Sequence, residues 1–205
     1  MRKLTEYIGS QCGNPHGFVG KIFLILMNVV NKVMYQNTVA LISTEPEDKI
    51  LDIGYGNGYL IKYLYRKTKS DMFGIDISED MLKEATKRNK EAAKLGKLHL
   101  RTGDCCALPY ADNTFAAVSS INTVYFWNDT VKGLSEICRV LKPGKSFYNG
   151  VYTKKFLDAL AYTQKGFQKF EPEQLTELGY KAGFEDVQVK DIVKGKSFVV
   201  IYTKR

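Results

Sequence analysis

The residues with the clearest chemical potential lie at positions 50–58, where an apolar run contains Asp52 and leads into three alternate glycines, Gly54, Gly56 and Gly58. Glycine has no Cβ and tolerates positive φ, so the backbone here can pass very close to a bound ligand. The amides at the start of the next helix point into the same space. The spacing differs from the G-x-G-x-x-G of dinucleotide folds, in which a pyrophosphate lies over the helix start. Because Asp52 would repel a pyrophosphate, the pattern favours a cationic ligand.

Further polar residues follow the ends of the next predicted strands. Asp76 lies about 20 residues after the glycines, where a carboxylate accepts hydrogen bonds from the ribose hydroxyls of an adenosine. Asp104 and Cys105 follow a third strand, and Asn122 follows a fourth. Because a doubly wound sheet binds its ligand outside the carboxyl ends of its strands, we expect these side chains to line one site.

The elements that position these residues alternate between apolar strands and helices, which predicts an α/β fold with a doubly wound, mostly parallel sheet. One helix is predicted to begin after Ser78, as its N-cap, and to run to about Leu95. Near the end of the chain, a helix that begins at residues 171–173 is followed by a hairpin. The predicted strands are Lys49–Ile53, Asp71–Asp76, Leu98–Thr102, Phe115–Ile121, Lys145–Tyr152, Val187–Ile192 and Ser197–Thr203.

Taken in order, these motifs resemble those of the class I S-adenosylmethionine-dependent methyltransferases, in particular the type-11 methyltransferase family. The resemblance covers nearly the whole chain and implies a three-layer, Rossmann-like fold with a seven-stranded sheet whose last strand is antiparallel. It also implies S-adenosylmethionine as the cofactor, whose ammonium and sulfonium suit an acidic loop. The motifs lie at residues 50–58, 71–78, 98–105 and 136–145, and residues 13–21 and 122–127 are similar to a bacterial branch of the group.

The resemblance assigns a role to each cofactor residue. Asp52 is expected to hold the methionine ammonium, directly or through water, and Asp76 the ribose, with Ile77 packed on the adenine. Asp104 would accept a hydrogen bond from the adenine amino group, while the Cys105 amide donates to the ring. The predicted cofactor-binding set is Asp52, Gly54, Tyr55, Gly56, Gly58, Asp76, Ile77, Met81, Asp104, Cys105 and Asn122.

Three positions depart from the family pattern. Tyr55 stands where a small residue is usual, Ala116 where aspartate is usual, and Lys145 where a second glycine is usual. Of these, only Tyr55 lies near the expected cofactor contacts, and its phenol is expected to overhang the cofactor. Asn122 either faces the methionine or the methyl acceptor, or caps its own loop.

The catalytic residues are less sharply indicated. Methyl transfer is an in-line displacement that depends mainly on positioning, and it needs a general base only if the acceptor must first lose a proton. His16, in the glycine-rich N-terminal motif, is the leading candidate base, although a lone histidine in a turn also fits a structural role. Tyr125 and Trp127 are expected to wall the acceptor pocket. Core packing at a strand-to-helix junction is the alternative for both.

An apolar helical stretch is predicted from Phe18 to about Ser43. It could form a lid over the acceptor pocket or a basic amphipathic segment that rests on a membrane. Because Lys21 and Lys32 are too few to make a strongly cationic face, we predict a lid. The chain is therefore predicted as a single domain, 1–205, with a helical lid over 1–45 and a cofactor-binding core over 46–205.

The composition narrows the class of protein. The chain has 205 residues and a net charge of +8, which suits one soluble globular domain. Its four cysteines lack C-x-x-C spacing and it has two histidines, so no metal site is predicted. There is no apolar run of about 18 residues and no secretory signal, so we expect neither a transmembrane segment nor export. We predict a cytoplasmic location and leave the oligomeric state open.

The favoured function is transfer of a methyl group from S-adenosylmethionine to a small-molecule acceptor. We expect this acceptor to be apolar or aromatic, because aromatic residues make up 12% of the chain. RNA methylation is an alternative suggested by the net charge. The lysines are scattered, however, and no Asn-Pro-Pro-Tyr motif is present, so no specific nucleic acid is expected. A non-catalytic protein that binds S-adenosylmethionine is a second alternative.

Overall fold

The computed structural model describes residues 2–13 and 26–205 of the chain. His16, the candidate base, lies outside the described residues, as do Lys21 and the first apolar residues of the predicted lid.

Seven strands form one sheet. They are β1 (Lys49–Ile53), β2 (Asp71–Asp76), β3 (Leu98–Thr102), β4 (Phe115–Ile121), β5 (Leu141–Tyr152), β6 (Asp186–Val193) and β7 (Ser197–Thr203). Their order is β3-β2-β1-β4-β5-β7-β6. The pairs among β1 to β5 are parallel, whereas β7 is antiparallel to both β5 and β6. The predicted doubly wound, mostly parallel sheet with an antiparallel last strand is confirmed.

Helices connect the strands. In the described ranges they are α1 (Arg2–Gly13), α2 (Lys32–Leu41), α3 (Tyr59–Thr68), α4 (Glu79–Arg88), α5 (Lys90–Lys94), α6 (Thr130–Val140), α7 (Lys154–Asp158) and α8 (Pro172–Lys181). Two short 3₁₀ turns add to these, at Val124–Phe126 and Ala161–Thr163. Residues 26–30 are also helical and lead into α2. None of the helices in the described ranges is long and apolar enough to cross a lipid bilayer.

The sheet separates two apolar cores. Because side chains alternate along a strand, Leu51 and Ile53 of β1 join the core that contains Leu134 of α6. Ile50 joins the opposite core, together with residues of α2, α3 and α4. Asp52 alternates with Leu51 and Ile53, so it falls on the face that α2 and α3 cover.

The helix predicted from Ser78 to about Leu95 is broken, which corrects that prediction. The break is at Asn89, whose backbone leaves the helical region at ψ 36°. The Asn89 amide donates to the Gly58 carbonyl at 3.0 Å and to the Ala85 carbonyl at 2.9 Å. Asn89 therefore ends α4 and ties it to the glycine loop 31 residues earlier.

The helical residues from Leu26 to Val33 expose an apolar side. Leu26, Val29, Val30 and Val33 are 57%, 69%, 44% and 49% exposed. Asn28 and Asn31 of the same stretch are each only 7% exposed. The helix therefore directs amides inward and branched apolar side chains outward.

Candidate functional site

The loops after β1, β2, β3 and β4 open into one cavity of about 290 Å³. It lies outside the carboxyl ends of the strands, where the sequence predicts the site. The last turn of α1, helical residues 26–35 and the end of β5 contribute the other walls. The predicted site residues that line it are Asp52, Gly54, Tyr55, Gly56, Asp76, Ile77, Asp104, Cys105, Asn122, Tyr125 and Trp127.

The three glycines of the loop after β1 all have positive φ, at 69° for Gly54, 50° for Gly56 and 73° for Gly58. A Cβ on Gly56 would meet no described atom within 4 Å, so this glycine leaves open the space that a ligand would fill. The other two glycines face protein. A Cβ on Gly54 would strike the Thr123 side chain, and one on Gly58 would lie 2.9 Å from Ala85. Gly54 and Gly56 line the cavity and Gly58 does not, and of the three only Gly56 has open space where a Cβ would point.

Asp76, at the end of β2, is fixed by two backbone amides. The Gly56 amide donates to Oδ2 at 2.8 Å and the Ser78 amide to Oδ1 at 2.9 Å. Burial raises the pKa of Asp76, and these two hydrogen bonds oppose the rise. Beside it, the large apolar side chain of Ile77 is 55% exposed on the cavity wall. A carboxylate next to an uncovered apolar surface fits a ribose with its attached adenine.

Asp52 is the most deeply buried acid of the site, at 2% exposure. The Ser119 hydroxyl donates to Asp52 Oδ1 at 3.0 Å across the β1–β4 pair. Burial raises the pKa of Asp52 to about 8; the Ser119 hydrogen bond opposes this rise, and the nearby Asp76 carboxylate adds to it. A buried carboxylate on a cavity wall is suited to a cation, because a positive partner removes the cost of its desolvation. The site therefore fits the ammonium of S-adenosylmethionine.

Asp104 and Cys105 form the wall after β3. The Cys106 amide donates to Asp104 Oδ1 at 2.8 Å, which lowers the pKa of this carboxyl. The side-chain atoms of Asp104, Cys105 and Cys106 that could bind a metal ion lie within 4.8 Å of one another. Burial raises the pKa of both thiols, so they stay protonated near neutral pH in the free protein. The adenine role of Asp104 and Cys105 and the absence of a metal stay predictions.

Two predicted cofactor residues have other roles in the structure. Met81 is 1% exposed in the core between the sheet, α3 and α4, and it does not line the cavity. Its position in the first turn of α4 turns it inward rather than towards the ligand. Tyr55 borders the cavity, but it is 4% exposed and its ring packs against Gly74, where an added Cβ would lie 2.7 Å from it. The ring is therefore held in the core and does not overhang the cofactor site.

A chain of hydrogen-bonded polar side chains, called the polar chain below, crosses the other end of the cavity. Asn122, with φ 59° just after β4, donates from Nδ2 to Asn31 Oδ1 at 3.2 Å and accepts from the Tyr125 hydroxyl at 3.0 Å. The Tyr152 hydroxyl also donates to Asn31 Oδ1, at 2.7 Å. The sequence predicted Asn122 and Tyr125 at the site but missed Asn31 and Tyr152. The available signal was the pair of asparagines at 28 and 31, which interrupts an otherwise apolar helix.

Tyr125 and Trp127 combine both of the roles considered from the sequence. They are 3% and 6% exposed and belong to the larger core, yet both line the cavity. The Trp127 indole donates to Thr123 Oγ1 at 3.2 Å and stacks on Phe147 at 6.4 Å. The Tyr125 hydroxyl accepts from the Tyr152 amide at 2.6 Å. Both rings are therefore fixed walls.

The charged side chains among the described residues of the cavity wall are all acidic. Among the described residues that line it, the acids are Asp52, Asp76 and Asp104, and none is a histidine, lysine or arginine. Burial raises the pKa of Tyr35 and Tyr125, and raises that of Tyr152 to about 12. These phenols are neutral hydrogen-bond donors near pH 7. The site thus combines a buried acid, a carboxylate beside an exposed apolar side chain and a neutral aromatic end.

Comparison with known proteins agrees with this geometry. Residues 50–144 match the family model described as a methyltransferase domain. The chain is 30% identical over 166 residues to the uncharacterized methyltransferase YdaC of Bacillus subtilis, covering 80% of this chain and 87% of that protein. It is 29% identical over 178 residues to the 24-methylenesterol C-methyltransferase 3 of Arabidopsis thaliana, covering 81% of this chain but only 50% of that longer protein.

The fold has a solved counterpart. An S-adenosylmethionine-dependent methyltransferase from Methanococcus maripaludis superposes with a TM-score of 0.69 at 21% identity, over 90% of this chain and 93% of that one. The predicted enzyme class and cofactor are confirmed, and the family favours an enzyme over a protein that only binds the cofactor. The sequence similarity and the shared fold, which agree with the acidic glycine loop, show that the chain belongs to the class I S-adenosylmethionine-dependent methyltransferases.

Proposed function

We propose that this enzyme methylates a small, apolar or aromatic acceptor that binds at the tyrosine-rich end of the cavity. The observation that carries the proposal is the continuity of one cavity from Asp76 and Ile77 at the adenosine edge to Tyr35, Tyr125 and Tyr152 at the other. S-adenosylmethionine supplies an electrophilic methyl group on a sulfonium. A nucleophile at the aromatic end would meet that group between Asp52 and the polar chain.

The chain's own residues contribute positioning rather than acid–base chemistry. Asp52 holds the ammonium and Asp76 the ribose, which fixes the reacting sulfonium relative to the rigid walls Tyr125 and Trp127. Such fixed geometry is a main source of acceleration in a displacement between two bound partners. Because the phenols of the described wall are neutral, they suit an acceptor that attacks without prior loss of a proton. His16 stays our candidate base for an acceptor that must lose one.

The N-terminal part of the chain supports the proposed division into a lid over 1–45 and a core over 46–205. Cys12 at the end of α1 and Met27, Asn28 and Asn31 in the following helical residues line the cavity. Gly9 also packs closely on the backbone of Tyr162. These contacts come from outside the sheet and enclose the acceptor end, where exclusion of water favours the transfer.

RNA as the acceptor receives less support. Phosphate recognition needs lysine or arginine, and none of the described cavity residues is a cation. The relative that acts on a sterol by its name agrees with an apolar acceptor. A cytoplasmic location stays part of the proposal, in keeping with four free cysteines.

The test uses methyl-labelled S-adenosylmethionine and three acceptor pools: organic-soluble metabolites, water-soluble metabolites and total RNA. We expect label in an organic-soluble small molecule. Asp76→Ala should abolish the micromolar affinity for S-adenosylhomocysteine and the labelling, whereas Asp191→Ala, at an exposed position of β6, should change neither. Label in RNA, or in the water-soluble pool alone, would overturn the proposal.

A further inference from the structure

The helical residues that line the acceptor end of the cavity carry apolar side chains on their exposed side. Leu26, Val29, Val30 and Val33 recur at three- and four-residue intervals, so they share one stripe of the helix surface. Backbone hydrogen bonds from Asn31 to Met27 and from Tyr35 to Asn31 carry the helical geometry through the junction with α2. We call these four exposed residues the apolar stripe. A surface helix normally buries such a stripe, and a contiguous exposed one marks an interaction surface.

One cationic side chain borders the apolar stripe. Lys32, within the same stretch, is exposed. A hydrogen bond with Tyr63 and burial raise the pKa of Tyr59, whereas the positive charge of Lys32 lowers it, so Lys32 is close to this ring. Arg88 also lies over the Tyr59 ring, at 5.5 Å, but its Nε donates to the Asn57 carbonyl at 2.9 Å, which ties it to the glycine loop. Of these two cations, Lys32 is therefore the one beside the stripe.

This combination matches the interface of an anionic lipid bilayer. Branched apolar side chains enter the boundary between headgroups and acyl chains, while lysine and arginine reach anionic headgroups. Each cation near such a surface adds to the electrostatic attraction. The net charge of +8 attracts the chain to the same surface.

A second copy of the chain is a less suitable occupant. In a two-fold symmetric pair each stripe would face its own copy, and Lys32 would approach its counterpart with like charge. An anionic bilayer has the opposite charge. The occupant that both features favour is therefore lipid.

We propose that the apolar stripe, with Lys32 beside it, docks this enzyme on the surface of anionic lipid bilayers. The inner side of the same helix supplies Met27, Asn28 and Asn31 to the cavity wall, so docking would bring the acceptor end close to the membrane. Entry of an apolar acceptor from the bilayer rests on the proposed function. The docking itself does not, and it can be measured without turnover. This role adds to that of a lid, which the sequence alone favoured.

The test is co-sedimentation of the full chain with vesicles of phosphatidylcholine alone or mixed with 30% phosphatidylglycerol. We expect binding to the mixed vesicles at 0.1 M salt and at least fivefold less to neutral ones. The double variant V29E/V33E should lose binding at least tenfold, and Lys32→Glu should weaken it about threefold. Leu95→Glu serves as the control and should bind like the parent. Leu95 is 65% exposed, directly follows α5 and is not part of the apolar stripe.

The parent and all variants should keep the same melting temperature and affinity for S-adenosylhomocysteine, because the altered side chains are exposed. Absence of binding to mixed vesicles would overturn the proposal, as would equal binding by V29E/V33E. A dimer that light scattering detects and that V29E/V33E dissociates would assign the stripe to a second copy instead. Failure of labelling with all three acceptor pools would affect only the proposed function.

Discussion

Asp52 and Ser119 face each other on neighbouring strands, and the serine hydroxyl donates to the carboxylate at 3.0 Å. They are a register pair of β1 and β4 on the face of the sheet covered by α2 and α3. One neutral donor compensates only in part for burying a charged carboxylate. The site therefore holds a desolvated acid whose natural partner is the ammonium of the cofactor, and this arrangement has consequences for stability and for binding.

Asp52→Asn should stabilise the protein while it abolishes cofactor binding. Burial raises the pKa of Asp52 from 3.8 to about 8 in the folded state, so the folded state binds its proton more tightly than the unfolded state. The resulting cost is absent below pH 4, grows as the pH rises and is complete above pH 8. The variant lacks this cost and keeps an oxygen for Ser119.

The gain of Asp52→Asn should reach at least about 1 kcal/mol above pH 8, which moves the melting temperature of a chain of this size by about 2–4 °C. Thermal melts at pH 5 and pH 8.5 measure it, and the gain should be larger at pH 8.5. A variant that is less stable than the parent at pH 8.5 would contradict the assignment of a strained, cation-binding acid.

Cofactor binding at pH 7 should release a proton. With the pKa of Asp52 at about 8, the free protein holds this carboxyl mostly protonated, and a bound ammonium favours the ionised form. Calorimetric titration with S-adenosylhomocysteine in phosphate and in Tris should therefore give different apparent enthalpies, since the buffers take up the proton with different heats. The difference should shrink at pH 8.5, where more of the free carboxyl is already ionised. Equal enthalpies in both buffers at pH 7 would show that Asp52 is already ionised.

Gly56→Ala should weaken cofactor binding far more than it destabilises the fold. Gly56 and Gly96 form a matched pair: φ is 50° and 68°, and a Cβ on either would meet no described atom within 4 Å. Alanine at positive φ costs roughly 1–2 kcal/mol at both sites. Only the Cβ at 56 enters the cavity. We therefore expect similar losses of melting temperature, but at least a tenfold weaker affinity for S-adenosylhomocysteine with Gly56→Ala alone. Equal affinities in the two variants would remove Gly56 from the cofactor contacts.

The strands were largely predictable because local patterns define them. The strands β1, β2 and β4 are short, largely apolar runs, whereas β3 alternates apolar and polar residues. Each stops at an acid, a glycine or a turn, and the bounds of all four match the predicted ones. The start of β5 was predicted at Lys145, yet the strand begins at Leu141. Leu141 already pairs with Phe115 ahead of a register shift in β4. A pairing across a bulge leaves no periodic signal in either strand.

The glycine loop and its acids were predictable as a set, but single side chains were not. The direction of Met81 and of the Tyr55 ring depends on the packing of α4 and Gly74, which the local sequence does not encode. Asn89 ends α4 through a bond to Gly58, and nothing in the surrounding lysine-rich segment indicates it. The exposure of Leu26, Val29, Val30 and Val33 was not predictable for a related reason: periodicity identifies an apolar stripe but not the side on which the protein lies.

The acceptor end of the cavity depends most on contacts that are distant in sequence. Tyr152 and Asn31 are 121 residues apart, and their hydrogen bond joins the end of β5 to the N-terminal helix. Asn122 completes the chain after β4. These residues share no motif, so only the fold brings them together. Their arrangement predicts that the acceptor, rather than the cofactor, is positioned by this network.

Asn31→Ala should therefore reduce turnover with little effect on the cofactor. The change leaves the Tyr152 hydroxyl and the Asn122 amide without their shared acceptor oxygen, so both lose a fixed direction. Misplacement by about 1 Å can cost on the order of a hundredfold in rate. With the organic-soluble acceptor pool we expect a 10- to 100-fold fall in the labelling rate, and affinity for S-adenosylhomocysteine within threefold of the parent.

Tyr152→Phe, which removes one donor and keeps the ring, should lower the labelling rate less than Asn31→Ala does. Tyr180→Phe serves as the matched control, because that tyrosine is 52% exposed and lies outside the cavity lining, so its rate should equal that of the parent. Cofactor affinity is measured by calorimetry beside each rate. If Asn31→Ala weakened cofactor binding as much as it slowed labelling, the network would belong to the methionine subsite, and the acceptor would have to be positioned by other residues.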